Sequence, residues 1–138
     1  MAIGEKLWEG KGKGGPSFIK DIGMEGVTMM FTWTAQMTGM GRAKGVDCNL
    51  NVTGISMSPP NGIAKSKSQG MLMTMTGDMG VVKGFDLSKM EMGKPMSVGL
   101  WTFMSQKLTW LNELIALVTI EAMDPMWMEF NITIWEWK

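Results

Sequence analysis

The chain has 138 residues, with thirteen basic side chains balancing thirteen acidic ones, a size that makes one domain without needing a disulfide or a metal. Eighteen methionines and seven tryptophans stand beside no histidine and no tyrosine, which excludes a Ser-His-Asp or Cys-His pair, an imidazole base and a histidine metal site. A formal net charge of zero leaves nucleic-acid binding without an overall electrostatic drive.

The first residues, Met1 to Lys6, lack the apolar segment of a secretion signal. The longest apolar stretch, Leu114 to Val118, is far shorter than the roughly 20 residues that span a bilayer. No membrane span and a cytoplasmic location are therefore expected. Gly10, Gly12 and Gly15 satisfy G-x-G-x-x-G literally, but Pro16-Ser17-Phe18 follows where a phosphate cradle needs a helix. The segment from Gly10 to Pro16 reads as a flexible loop.

From Val27 the chain alternates with period two. Val27, Met29, Phe31, Trp33, Ala35 and Met37 share one face, and mostly threonines fill the other, the pattern of a half-buried strand. A second strand runs near Asp47 to Ile55 and carries Cys48, the only cysteine. With no histidine to activate it, Cys48 reads as an inert buried thiol. Ser58 to Gly62 is a loop. The strand beginning near Ile63 alternates Lys65 and Lys67 with small residues, read as a solvated face, then Met71, Met73 and Met75 with Leu72, Thr74 and Thr76.

Thr76-Gly77-Asp78-Met79 signals a tight turn, and Gly80 to Phe85 a further strand. Met90 to Met96 reads as a loop whose three thioethers, with Met92, suit a soft ion such as Cu(I). Met96 to Ser105 is a strand bearing Trp101 and Phe103. Ser105 then caps one short helix near 106–114, followed by a strand over Ala116 to Glu121. Asp124-Pro125 marks a turn before a last strand from Met126 to Trp135.

The expected fold is all-β: about eight antiparallel strands in a closed or nearly closed barrel, with a β-sandwich as the alternative, in one domain over 1–138. Methionine fills irregular apolar space better than it signals a metal, and no family motif, cofactor or metal site is expected. The leading functional expectation is a non-enzymatic protein that holds a small hydrophobic ligand in an apolar interior or surface. Its lining candidates are Met29, Phe31, Trp33, Met71, Met73, Met75, Trp101 and Phe103. The alternative is a self-assembling protein, a homo-oligomer joined through exposed strands and Trp127, Trp135 and Trp137. Cu(I) binding by the methionine clusters is the second alternative.

Overall fold

A computed structural model describes residues 3–60 and 62–138. Met1 and Ala2 at the start, and Asn61 in the expected Ser58 to Gly62 loop, lie outside them. The strands are β1 (Ile3–Gly14), β2 (Phe18–Gly23), β3 (Gly26–Gly39), β4 (Cys48–Ser58), β5 (Ala64–Thr74), β6 (Met79–Glu91), β7 (Lys94–Ser105), β8 (Ile115–Ala122) and β9 (Glu129–Trp137). All are antiparallel to their neighbours, in the order β1-β9-β8-β7-β6-β5-β4-β3-β2. A further pairing of β1 with β3, from Trp8↔Gly39 to Gly14↔Trp33, closes eight strands into a barrel. The expected barrel is the fold, and β2 is an extra strand paired only with the outer part of β3.

Only Gly15 and Pro16 of the glycine-rich segment are loop. Gly10 to Gly14 belong to β1, Gly10 to Lys13 pairing with both β3 and β9 and Gly14 with β3. Lys11 and Lys13 point outward, while Gly10 and Gly12 face a crowded interior. A Cβ on Gly10 would meet the Gln36 carbonyl, and one on Gly12 the Phe130 ring. Glycine is there for close approach across a small barrel.

The alternation that marks β3 sorts its side chains. Trp33, Ala35 and Met37 are buried inside, beside Leu50 and Val52 of β4 and Ile132 of β9. At mid-barrel Trp33 stacks on Trp101, with centroids 5.9 Å apart, and meets Phe130 edge-on at 5.2 Å. The interior at this level is filled with aromatic rings. Each fully buried side chain of this size contributes roughly 1.5–3 kcal/mol through burial.

One end of the barrel is plugged. Trp8 stacks on Trp110 at 5.9 Å, touches Phe103 at 6.1 Å, and donates its indole N–H to the Val46 carbonyl at 2.8 Å. Leu111 and Leu114 pack beneath, and Arg42 lies 5.1 Å over the Trp110 ring while bonding Glu136 at 3.2 Å. The short helix expected near 106–114 is a single 3-10 turn, Thr109–Glu113. Ser105 does anchor it, accepting the Leu108 N–H on its hydroxyl, while its backbone N–H donates to Asn112 Oδ1 and its carbonyl accepts the Asn112 amide.

The last strand starts later than its alternation suggests. The Asp124 carboxylate accepts the N–H groups of Met126, Met128 and Glu129, folding Met126 to Met128 into the β8–β9 loop. Those donors hold the carboxyl below the usual carboxylate range. The Met90 to Met96 loop is likewise a tight hairpin. β6 and β7 pair as far as Glu91↔Lys94, leaving Met92 and Gly93 as a two-residue turn with positive φ at both. Pairing Lys89 with Met96 and Met90 with Pro95 puts Met90 and Met96 on opposite faces of the hairpin. The three thioethers therefore do not converge on one ion.

Candidate ligand-binding site

The other end of the barrel is less tightly filled, with Met29, Phe31, Ser56, Ser58 and Ser88 only half-buried, and its inner wall is of two kinds. Period-two alternation carries Ser56 and Ser58 of β4, Ser66 and Ser68 of β5, Asp86 and Ser88 of β6, and Ser97 of β7 to the inside. Register places Ser56, Ser66, Asp86 and Gly99 side by side across four strands. Facing this polar arc are Met29 and Phe31 of β3, Ile120 and Ala122 of β8, and Phe130. The result is a cup with one polar and one apolar side, floored by the Trp33–Trp101 stack.

Asp86 is the centre of the polar side and is only 4% exposed. Its Oδ2 accepts the Ser68 hydroxyl at 2.8 Å, and its Oδ1 accepts the Trp101 indole N–H at 3.0 Å. Burial pushes its carboxyl above the ordinary value, against the pull of those two donors. Glycine makes the space. A Cβ at Gly99 would strike Asp86 Oδ1, and one at Gly84 would strike the Trp101 ring. Among the described residues, Ser66 and Ser97 are buried yet make no side-chain hydrogen bond. No fully enclosed side-chain oxygen or nitrogen among the described residues lacks a partner, so these two inward hydroxyls are not fully enclosed.

The sequence candidates divide among three places. Met29 and Phe31 line the cup, Trp33 and Trp101 form its floor, and Phe103 belongs to the plug at the closed end. Met71, Met73 and Met75 do not join them: the first two lie on the outer wall, the third in the following turn, and all are exposed. Their strand turns inward with Ser66, Ser68, Gly70, Leu72 and Thr74, because Lys65 and Lys67 must face water. Nor do the three interface candidates form one patch. Trp127 packs on Phe130 at the less filled end, 6.2 Å away, whereas Trp135, with Lys6 lying 5.2 Å over its ring, and Trp137 end β9 at the closed end.

Asp86 and the serines carry no mark in an apolar-in reading. In Phe85-Asp86-Leu87 such a reading buries Phe85 and Leu87, yet both are exposed and Asp86 is inside. The usable signal is the lysine alternation of β5, which fixes Ser66 and Ser68 inward and, through register, Asp86 with them. Cys48 is buried at the closed end, its thiol pushed up to about 12 by burial and then by Asp47, consistent with an inert group.

No protein-family model matches the sequence, and no curated protein is similar to it in sequence. Solved structures are similar in fold. A protein of unknown function from Clostridium acetobutylicum superposes with a TM-score of 0.80 at 8% identity, over 96% of each chain. A beta-barrel like protein from Acinetobacter baumannii gives 0.77 at 13% identity, over 99% of this chain and 96% of that one. An enzyme from Penicillium herquei gives 0.67 at 16% identity, over 96% and 92%. These likenesses place the chain among small β-barrels and carry the fold alone.

Proposed function

We propose that the chain is a small-molecule binding protein whose ligand enters the less filled end and rests in the two-sided cup. The ligand class follows from the walls: a flat apolar body against Met29, Phe31 and the Trp33–Trp101 floor, with hydroxyl or amide groups along one edge toward Asp86 and the serines. The single observation that carries this reading is Asp86 itself, a buried carboxyl ringed by serines inside an otherwise apolar barrel. A buried acid costs stability, and groups of this kind gather at functional sites. Binding needs no nucleophile or imidazole base, which agrees with a chain that has no histidine. The test is a titration with 1-naphthol, and with naphthalene as the control lacking a hydroxyl, followed by tryptophan fluorescence. Tighter binding of 1-naphthol that is lost in Ser66→Val/Ser97→Val supports the reading. Equal binding of both probes, or no change in the variant, overturns it.

A second reading, self-association, rests on β2. All six of its residues are exposed, Phe18, Ile19 and Ile22 among them, and only its β3 side is paired. Such an edge invites another strand. Native mass spectrometry of the wild type and of Ile19→Lys/Ile22→Lys tests it. A dimer that the variant splits supports this reading, and a wild-type monomer at micromolar concentration removes it.

A further inference from the structure

The outer wall opposite the polar arc is inverted as well. Phe85 and Leu87 of β6 and Val98 and Leu100 of β7 face outward, each between 42% and 47% exposed. Gly54 and Gly84 leave bare backbone on either side of Ser68. Over the outer face of β4 to β7 lies a groove of about 980 Å³. Ile55 and Met57 form one side and Phe85 and Leu100 the other, with Lys65 and Lys67 between them and Lys83 at one end. No carboxylate is among the lining residues. Neither ion pair among the described residues, Lys6–Glu9 and Arg42–Glu136, involves these lysines.

Lysine stems commonly cover apolar surface. That accounts for a lysine beside Phe85, but not for three like charges in one groove of a chain whose net charge is zero. Cross-strand neighbours on an exposed sheet ordinarily mix signs, because like charges repel. An apolar floor with unopposed cations complements one kind of occupant. We propose that this groove binds a single-chain anionic amphiphile, with its headgroup among Lys65, Lys67 and Lys83 and its hydrocarbon on Phe85 and Leu100. The groove lies on the outer face of the sheet whose inner face is the cup, and Ser66 and Ser68 border both.

The probe is monomeric sodium dodecanoate, with dodecyltrimethylammonium as the cationic control of equal chain length. Binding is read by calorimetry, and its position by acetic-anhydride labelling of lysines with mass spectrometry. Dodecanoate should slow acetylation of Lys65, Lys67 and Lys83 and leave Lys11 and Lys13 unchanged. Lys65→Gln/Lys67→Gln/Lys83→Gln should weaken dodecanoate about tenfold or more, from the loss of three exposed charge contacts. Leu100→Thr should weaken it while preserving the salt dependence. Ser97→Val, which faces the cup and does not line the groove, should bind dodecanoate as the wild type does, which separates this site from the cup. Equal affinity for the cationic control, protection elsewhere on the chain, an unchanged triple variant, or binding to anionic vesicles alone would each overturn the proposal.

Discussion

The two ends of the barrel are built on opposite rules. At the closed end the large inward groups pack on one another: Trp8 between Trp110 and Phe103, its N–H on Val46, with Leu111 and Leu114 beneath. At the less filled end the inner wall of β4 to β7 carries serines and a carboxyl where a filled barrel would carry leucine or valine. Two of these strands, β6 and β7, bear Phe85, Leu87, Val98 and Leu100 outside. One end is organised for stability. The other gives up apolar burial to hold polar groups in a recess.

The largest expected effect tests the closed end. Trp8→Ala removes a stacked ring pair and a buried hydrogen bond, and should cost about 3–5 kcal/mol. A urea transition would show it as a fall in midpoint. Ser66→Ala and Ser97→Ala at the less filled end remove hydroxyls that bond no described side chain, and should stay within about 0.5 kcal/mol. If a serine variant were as costly as Trp8→Ala, the less filled end would be a structural core and the contrast would fail.

Asp86 sharpens the comparison next. Asp86→Ala leaves the Trp101 N–H and the Ser68 hydroxyl without their acceptor, a cost of about 1–3 kcal/mol. Asp86→Asn behaves differently, because an amide can meet both groups without a charge. The native carboxyl holds its proton to higher pH than the unfolded chain does. Between the unfolded and the raised folded value the folded state binds more protons, so stability falls as pH rises through that window. Above it the charged carboxyl remains a burden. Asp86→Asn should remove this slope, equalling the wild type in acid and exceeding it at neutral pH. Denaturant midpoints at pH 3 to 8 measure it, and parallel curves for the two proteins would refute a raised Asp86.

The barrel was legible because its signals are backbone signals. The period-two run from Val27 to Thr38, and turn residues near Gly77 and Asp124, state where strands begin and end. The site was not legible because alternation does not say which face is inside. A shift of one residue moves every side chain to the other face. In β5 the lysines settle the question, since a solvated face that carries Lys65 and Lys67 leaves Ser66 and Ser68 inside, but nothing in the residue types marks those serines as a site. In β6 and β7 the apolar-in rule holds for Val82, Trp101 and Phe103 but fails toward the other end, where Phe85, Leu87, Val98 and Leu100 are outside. Gly10 and Gly12 misled for a similar reason. Glycine marks a loop in a sequence as readily as it marks close packing, and only the neighbouring Gln36 backbone and Phe130 ring decide.

A smaller shift, of opposite sign, concerns the rim of the less filled end. Met92 has φ of 52° and is almost fully exposed, so its side chain adds nothing to the packing. A side chain in this left-handed region costs roughly 1–2 kcal/mol unless the residue is glycine, or asparagine to a lesser degree. The turn formed by Met92 and Gly93 wants Asn-Gly. Met92→Asn should therefore stabilise the chain by about 0.5–1 kcal/mol, a rise of a few degrees in melting temperature for a domain of this size. Gly93→Ala, at φ of 82°, should move the other way by a similar amount. A gain at Met92 would mean that the rim, like the cup below it, has not been optimised for folding. No gain would mean that the hairpin tip relaxes its backbone in solution, and the contrast between the ends would then rest on the inner wall alone.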